Sequence, residues 1–327
     1  MIYRFLSVLI CCVYAFVLQA APATGIGLKL VQLPDPTGPA TMKAALFYPA
    51  AILTGTTAMG PLDISAQRDA EPQPGSYPLV LISHGNGGSM FSHHDTASAL
   101  ARQGFVVAAL EHPGDNFRDS SGLGTDRVYA GRSVQLSALL DQLQTLPQVA
   151  ELIDLDRVGI FGFSAGGYTA LVMAGAMPEF ERLAGFCSRQ PASVLCPGGG
   201  EIIRSTPPIQ PLLDSRISAA FVMAPIGSAL FSPEALRQIP VPVYLYQSAA
   251  DSQLPQAEHG QYVQKNLSTL KGHTELKQAD HFVFIAPCSK RLKATAPAVC
   301  KDAPGVDRKA IHQQLNRDVV TFFQARL

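Results

Sequence analysis

Asp156-Arg157-Val158-Gly159-Ile160-Phe161-Gly162-Phe163-Ser164-Ala165-Gly166-Gly167, followed by YTALVMAGA (168–176), decides how this 327-residue chain is read. Val158 to Phe161 is an apolar run, as a strand covered on both faces would be. Residues 165–176 are small and apolar over a helix-like length. Between them, Gly162-Phe163-Ser164-Ala165-Gly166 fits G-x-S-x-G, in which a serine sits on a sharp strand-to-helix turn. Side chains two positions either side of that serine would collide with the neighbouring strand or helix, so Gly162 and Gly166 are steric requirements of the elbow. Ser164 is therefore the candidate nucleophile. The competing reading is a glycine-rich turn with an N-cap serine. A strand leading in and a helix leading out favour the elbow.

Working outward, strand-like runs occupy 26–33, 42–49, 77–83, 104–110, 156–163, 216–225, 241–247 and 273–279. Helix-period segments at 90–102, 129–146, 165–176, 256–270 and 306–327 alternate with them. This alternation predicts an α/β fold with a mainly parallel, eight-stranded sheet and helices on both faces. Residues 59–78, with Pro61, Pro72, Pro74 and Pro78, read as an exposed connection. Periodicity fails over about 178–215, which reads as a cap-like, cysteine-bearing insertion that shapes the substrate pocket.

Hydrophobic residues make up 47% and charged residues 15%, enough apolar content to build a core. Lys and Arg total 25 and so do Asp and Glu, which argues against a nucleic-acid partner. His93-His94 are adjacent, so they point apart on a helix and lack the spacing of H-E-x-x-H. No metal site and no cofactor are expected. The SHGNGG loop has neither a following Lys-Ser/Thr nor G-x-G-x-x-G, so it is not a phosphate cradle.

The N-terminus combines Arg4, an apolar run from Phe5 to Leu18, and small residues at Ala20 and Ala21. That is the layout of a signal peptide over 1–20, and the run is short of the roughly 20 residues that a membrane span needs. A single exported domain over 21–327 is expected, secreted or periplasmic, with no stable membrane anchor. Four cysteines would remain after cleavage, and an even number in an oxidising compartment implies two disulfides. Proximity favours Cys187 with Cys196 and Cys288 with Cys300, although three pairings are open. None of the spacings is C-x-x-C, which disfavours zinc.

A serine hydroxyl needs a base to take its proton. In elbows of this type the acid and the histidine follow the serine in that order, after later strands. Asp251 stands just beyond the run that ends at Gln247. Asp214 precedes its strand, and Glu234 and Glu258 fall in helical segments. Of eight histidines, His84, His93, His94 and His112 precede the serine, His259 and His312 lie in helices, and His273 opens its strand. His281 directly follows the last strand and is the candidate base. Asp280 is its neighbour, but consecutive side chains rarely face one another. Oxyanion N–H donors are expected at Ala165 and, in Ser83-His84-Gly85-Asn86-Gly87-Gly88, at Asn86, with Gly85 and Gly87 as substitutes. Glu111-His112 would shape the mouth of the cleft.

These segments, SHGNGG (83–88), GFVVAALEHPGDN (104–116) and DRVGIFGFSAGG (156–167), with Asp251 and His281, resemble those of α/β-hydrolases. The likeness extends more narrowly to exported bacterial dienelactone-hydrolase-like proteins and platelet-activating-factor acetylhydrolases. The acetylhydrolases carry a similar serine-His-Gly loop whose next residue supplies an oxyanion N–H, matching Asn86. Dienelactone hydrolases use a cysteine nucleophile where this chain has Ser164. The resemblance implies a serine hydrolase that cleaves small-molecule carboxylic esters through an acyl-enzyme. Two alternatives stay open: a phospholipase A2-like or acetylhydrolase-like enzyme acting on short acyl chains, and a non-catalytic ligand-binding protein on the same scaffold.

Overall fold

The alternating runs assemble into one large sheet in the computed structural model, which describes residues 25–51 and 55–327. Its strands in chain order are β1 (Gly25–Pro34), β2 (Thr41–Ala50), β3 (Thr57–Met59), β4 (Leu62–Ile64), β5 (Gln67–Arg68), β6 (Tyr77–Ser83), β7 (Val106–Glu111), β8 (Ile153–Phe163), β9 (Ile217–Met223), β10 (Val243–Ser248) and β11 (Leu270–Leu276). The spatial order is β11-β10-β9-β8-β6-β7-β2-β1-β5. From β6 to β11 all neighbours are parallel, while β2 runs antiparallel to both β1 and β7. All the carboxyl ends of the parallel strands therefore open on one edge.

The strand side chains alternate between the two faces. Leu79 and Leu81 of β6 join one apolar cluster with Leu136, Leu140 and Leu171, from the helices Gly131–Leu143 and Ala165–Met173. Val80 and Ile82 join the other, with Leu100, Leu315, Val319 and Phe323 from the helices His94–Arg102 and Arg308–Gln324. The unbroken apolar character of β6 and β7 follows from this double cover.

The sheet has nine strands among the described residues, one more than the expected eight. The extra strand is β5, two residues that pair in parallel with Gly27 and Leu28 at the edge of β1. It lies in the proline-rich connection, and two residues are too few to show a period. β3 and β4 form a separate hairpin in the same connection. The last strand ends at Leu276, earlier than the expected 279.

Both short-range disulfides, Cys187–Cys196 and Cys288–Cys300, are formed. The first ties the helix Arg182–Arg189 to the turn at Pro197–Gly200 within the insertion. Beyond it, the Asp126 carboxylate anchors the returning chain by accepting from Ser205 N at 2.9 Å and Ile209 N at 3.0 Å. No helix among the described residues is long and apolar enough to cross a membrane. The signal peptide expected at 1–20, and the start of the mature domain at 21, lie outside the described residues.

Candidate active site

β8 delivers the chain to Ser164 with φ +56° and ψ −119°, a strained conformation for a residue with a side chain. The glycines have the expected steric cause. A Cβ on Gly162 would overlap the Gly166 carbonyl, and one on Gly166 would overlap the Ser83 carbonyl at the end of β6. The Ser164 N–H donates to Met223 O at 2.9 Å, tying the elbow to the end of β9.

His281 begins a single turn of 3-10 helix just after β11. Its Nε2 lies 3.0 Å from Ser164 Oγ and its Nδ1 2.7 Å from Asp251 Oδ2. With Asp251 ionised, Nδ1 carries the proton and donates to it, leaving Nε2 to accept from the serine hydroxyl. The other Asp251 oxygen accepts from the backbone N–H of Gln253 at 2.9 Å and of Leu254 at 2.7 Å. The carboxylate is thus oriented by its own turn before it meets the imidazole. Phe163 backs the His281 ring at a centroid separation of 4.8 Å.

Asp280 does not face the imidazole. It accepts from Ser252 N at 2.8 Å and from His281 N at 2.7 Å, joining the Asp251 turn to the His281 turn. Partial burial pushes its pKa up, and these N–H donors outweigh it, so the net shift is downward.

The SHGNGG loop closes as a turn in which Gly88 N donates to Gly85 O at 3.0 Å and Gly87 adopts φ +64°. A Cβ on Gly85 would sit 3.0 Å from the Phe163 ring and 3.3 Å from Ser164 Cβ, so the loop backbone passes close to the serine. Asn86 and Ala165 line the same cleft, with Tyr129, Tyr168, Leu195 and Ile226 as walls. The cleft encloses about 330 Å³, open solvent at its mouth included. Leu195 is the contribution of the disulfide-bearing insertion.

His84 and His112 lie beneath the loop. His112 is fully buried and not at the cleft mouth, because Ser83 Oγ and Gln135 Oε1 meet its two ring nitrogens at 3.0 and 2.8 Å. Its backbone N–H donates to His84 Nε2 at 3.2 Å, so the His84 proton sits on Nδ1 and is donated to Gly85 O at 2.7 Å. Burial, reinforced by Arg132, pushes the His84 imidazole down to about 3. His93 is buried edge-on against Phe161 and Phe163, with centroids 5.2 and 5.7 Å away. His259 accepts from Gly227 N at 3.1 Å, just before the helix Gly260–Asn266. No group of three or more His, Cys, Asp or Glu among the described residues is disposed to hold a metal ion.

Two residues that sequence reasoning did not single out, Asp115 and Arg132, form a buried ion pair at 2.6 Å under the loop. The available signal was an arginine on the apolar stripe of its helix, in register with Leu136, Leu139 and Leu143.

Residues 78–189 match the family described as alpha/beta hydrolase fold. That segment is about a third of the chain, and the strand order around it is that of the α/β-hydrolase fold. A ferulic acid esterase from Streptomyces cinnamoneus superposes on this chain with a TM-score of 0.60, at 21% identity, covering 94% of this chain and 92% of that one. A dienelactone hydrolase from Anabaena variabilis superposes with a TM-score of 0.50 at 16% identity, covering 92% of this chain and 99% of that one. In sequence, dipeptidyl peptidase 8 of Mus musculus is 31% identical over 120 residues, as is that of Homo sapiens. Those matches take in 34% of this chain and span only 13% of the length of either peptidase.

Proposed function

We propose that this chain is an exported serine hydrolase that cleaves carboxylic esters through an acyl-enzyme. The observation that carries the reading is the continuous line from Ser164 Oγ through His281 to Asp251, with contacts of 3.0 and 2.7 Å. His281 Nε2 takes the Ser164 proton as Oγ attacks the acyl carbon, and Asp251 holds the tautomer and stabilises the imidazolium. The Asn86 and Ala165 N–H groups receive the oxyanion. His281 then returns the proton to the leaving alkoxide, which departs as an alcohol. Water releases the acyl group by the same steps in reverse.

The named activity of the ferulic acid esterase neighbour favours esters over peptides. The walls that Leu195 and Ile226 give the cleft beside Asn86 and Ala165 are apolar, which favours a short acyl group there. Two disulfides support export to an oxidising compartment.

The test is a series of p-nitrophenyl esters of rising acyl length, with a peptide p-nitroanilide alongside, assayed on wild type and Ser164→Ala. Turnover of the short esters by wild type and its loss in Ser164→Ala is the expected result. Retained esterase activity in Ser164→Ala would end the assignment.

A further inference from the structure

Three consecutive peptide groups of the loop proposed to receive the oxyanion, from His84 to Gly87, are each held by a different side chain. The His84 carbonyl accepts from Arg132 Nη2. The Gly85 carbonyl accepts from the His84 ring at 2.7 Å and from Gly88 N at 3.0 Å. The Gly87 N–H donates to Asp115 Oδ1 at 2.9 Å. In a trans peptide the carbonyl and the following N–H point opposite ways. Holding the Gly85 carbonyl inside the loop therefore turns the Asn86 N–H outward, on the side where Asn86 and Ala165 share the cleft.

Asp115 and Arg132 bracket this arrangement. Arg132 Nη1 donates to Asp115 Oδ2 at 2.6 Å and Nη2 to Ser83 Oγ at 3.2 Å, and each side chain is 1% exposed. A buried ion pair commonly adds no stability over an apolar pair of similar size. Stability alone therefore does not account for placing two full charges here. Their other contacts do: Asp115 grips the peptide after Asn86, and Arg132 grips the peptide before Gly85. Arg132 belongs to the helix Gly131–Leu143, which packs against the sheet and gives the grip a rigid base.

We propose that the Asp115–Arg132 pair is a positioning device that fixes the SHGNGG loop, so that the Asn86 N–H is aimed at the oxyanion before substrate arrives. The inference rests on the reading of Ser164 as nucleophile. Such pre-aimed donors act mainly in the tetrahedral transition state, so the device bears on kcat more than on KM. The rival account is a purely structural pair that stitches the turn after β7 to the helix.

The test compares wild type with Asp115→Leu/Arg132→Met, which leaves no lone buried charge, and with Arg132→Lys, which keeps a cation but cannot span three acceptors. p-Nitrophenyl acetate is the substrate, and phenylboronic acid, which forms a tetrahedral anion on an active serine, is the analogue. The double variant should lose roughly 10- to 100-fold in kcat with KM within about twofold. Its boronate Ki should rise by the same factor, and the pH midpoint of kcat/KM should stay put because the Ser164–His281–Asp251 line is untouched. Arg132→Lys should move in the same direction by less, and it decides the matter by the same criteria if the double variant does not melt cooperatively. Wild-type kcat and Ki in these variants, or a loss of kcat without a parallel loss of boronate affinity, would overturn the proposal. Ser164→Ala run beside them separates the two ideas. Retained turnover there sinks the nucleophile, whereas lost turnover with unaltered positioning variants sinks the pair alone.

Discussion

Acidification should destabilise this protein well above the pH at which its carboxylates protonate. Burial pushes His84 and His93 down to about 3 and His259 down to about 4, from an ordinary value near 6.5. Because the folded pKa values are depressed, the unfolded chain takes up protons below pH 6.5 that the folded chain refuses. Stability is therefore complete above about pH 6.5 and is lost as pH falls toward 4. Each such histidine costs at most about 1.4 kcal/mol per pH unit in that window, or about 2 kcal/mol between pH 7 and pH 5. The three together remove about 6 kcal/mol, a large share of the 5–15 kcal/mol typical of a folded domain. Urea unfolding at pH 7, 6 and 5 at fixed ionic strength measures the loss. His259→Gln, whose amide oxygen can still accept from Gly227 N, should reduce it by about 2 kcal/mol. An unfolding free energy that is level or higher at pH 5, or a pH slope unaltered in His259→Gln, would refute the reasoning.

Other perturbations reach the elbow, the acid and the insertion. Gly166→Ala forces a Cβ into the Ser83 carbonyl and should cost about 3 kcal/mol or more, read as a lowered melting temperature. Asp251→Asn retains an acceptor for the Gln253 and Leu254 N–H groups and should fold, as circular dichroism would show. Its kcat should fall about 10⁴-fold through the wrong imidazole tautomer. Replacing Cys187 and Cys196 by alanine opens a loop with a sequence separation of 9. That should cost about 2.5 kcal/mol in chemical denaturation. The same change at Cys288 and Cys300, with a separation of 12, should cost a similar amount. Only the first should raise KM for short esters, because it loosens the segment that carries Leu195 into the cleft.

The sheet and the convergence of Ser164, Asp251 and His281 are legible because short-range rules govern them. Two glycines are forced by close approach at the elbow, and the acid and the histidine each follow the carboxyl end of a parallel strand. Both disulfides close short loops, so proximity along the chain chose the pairing. β5 was not legible, since Gln67 and Arg68 gain their strand conformation only from the free edge of β1. His112 was misplaced at the cleft mouth because its burial depends on Ser83 and Gln135, partners 29 and 23 residues away. The Asp115–Arg132 pair was hidden for the same reason. A contact between a turn and a distant helix leaves no periodic trace beyond one arginine on an apolar stripe.

The most direct test of the central claim is covalent labelling of the full-length protein with a fluorophosphonate, followed by peptide mass spectrometry. The account predicts a single adduct on Ser164, absent in Ser164→Ala and formed at least about 100-fold more slowly in His281→Ala, where no base activates the hydroxyl. An unlabelled Ser164, or labelling that persists undiminished in either variant, would contradict it.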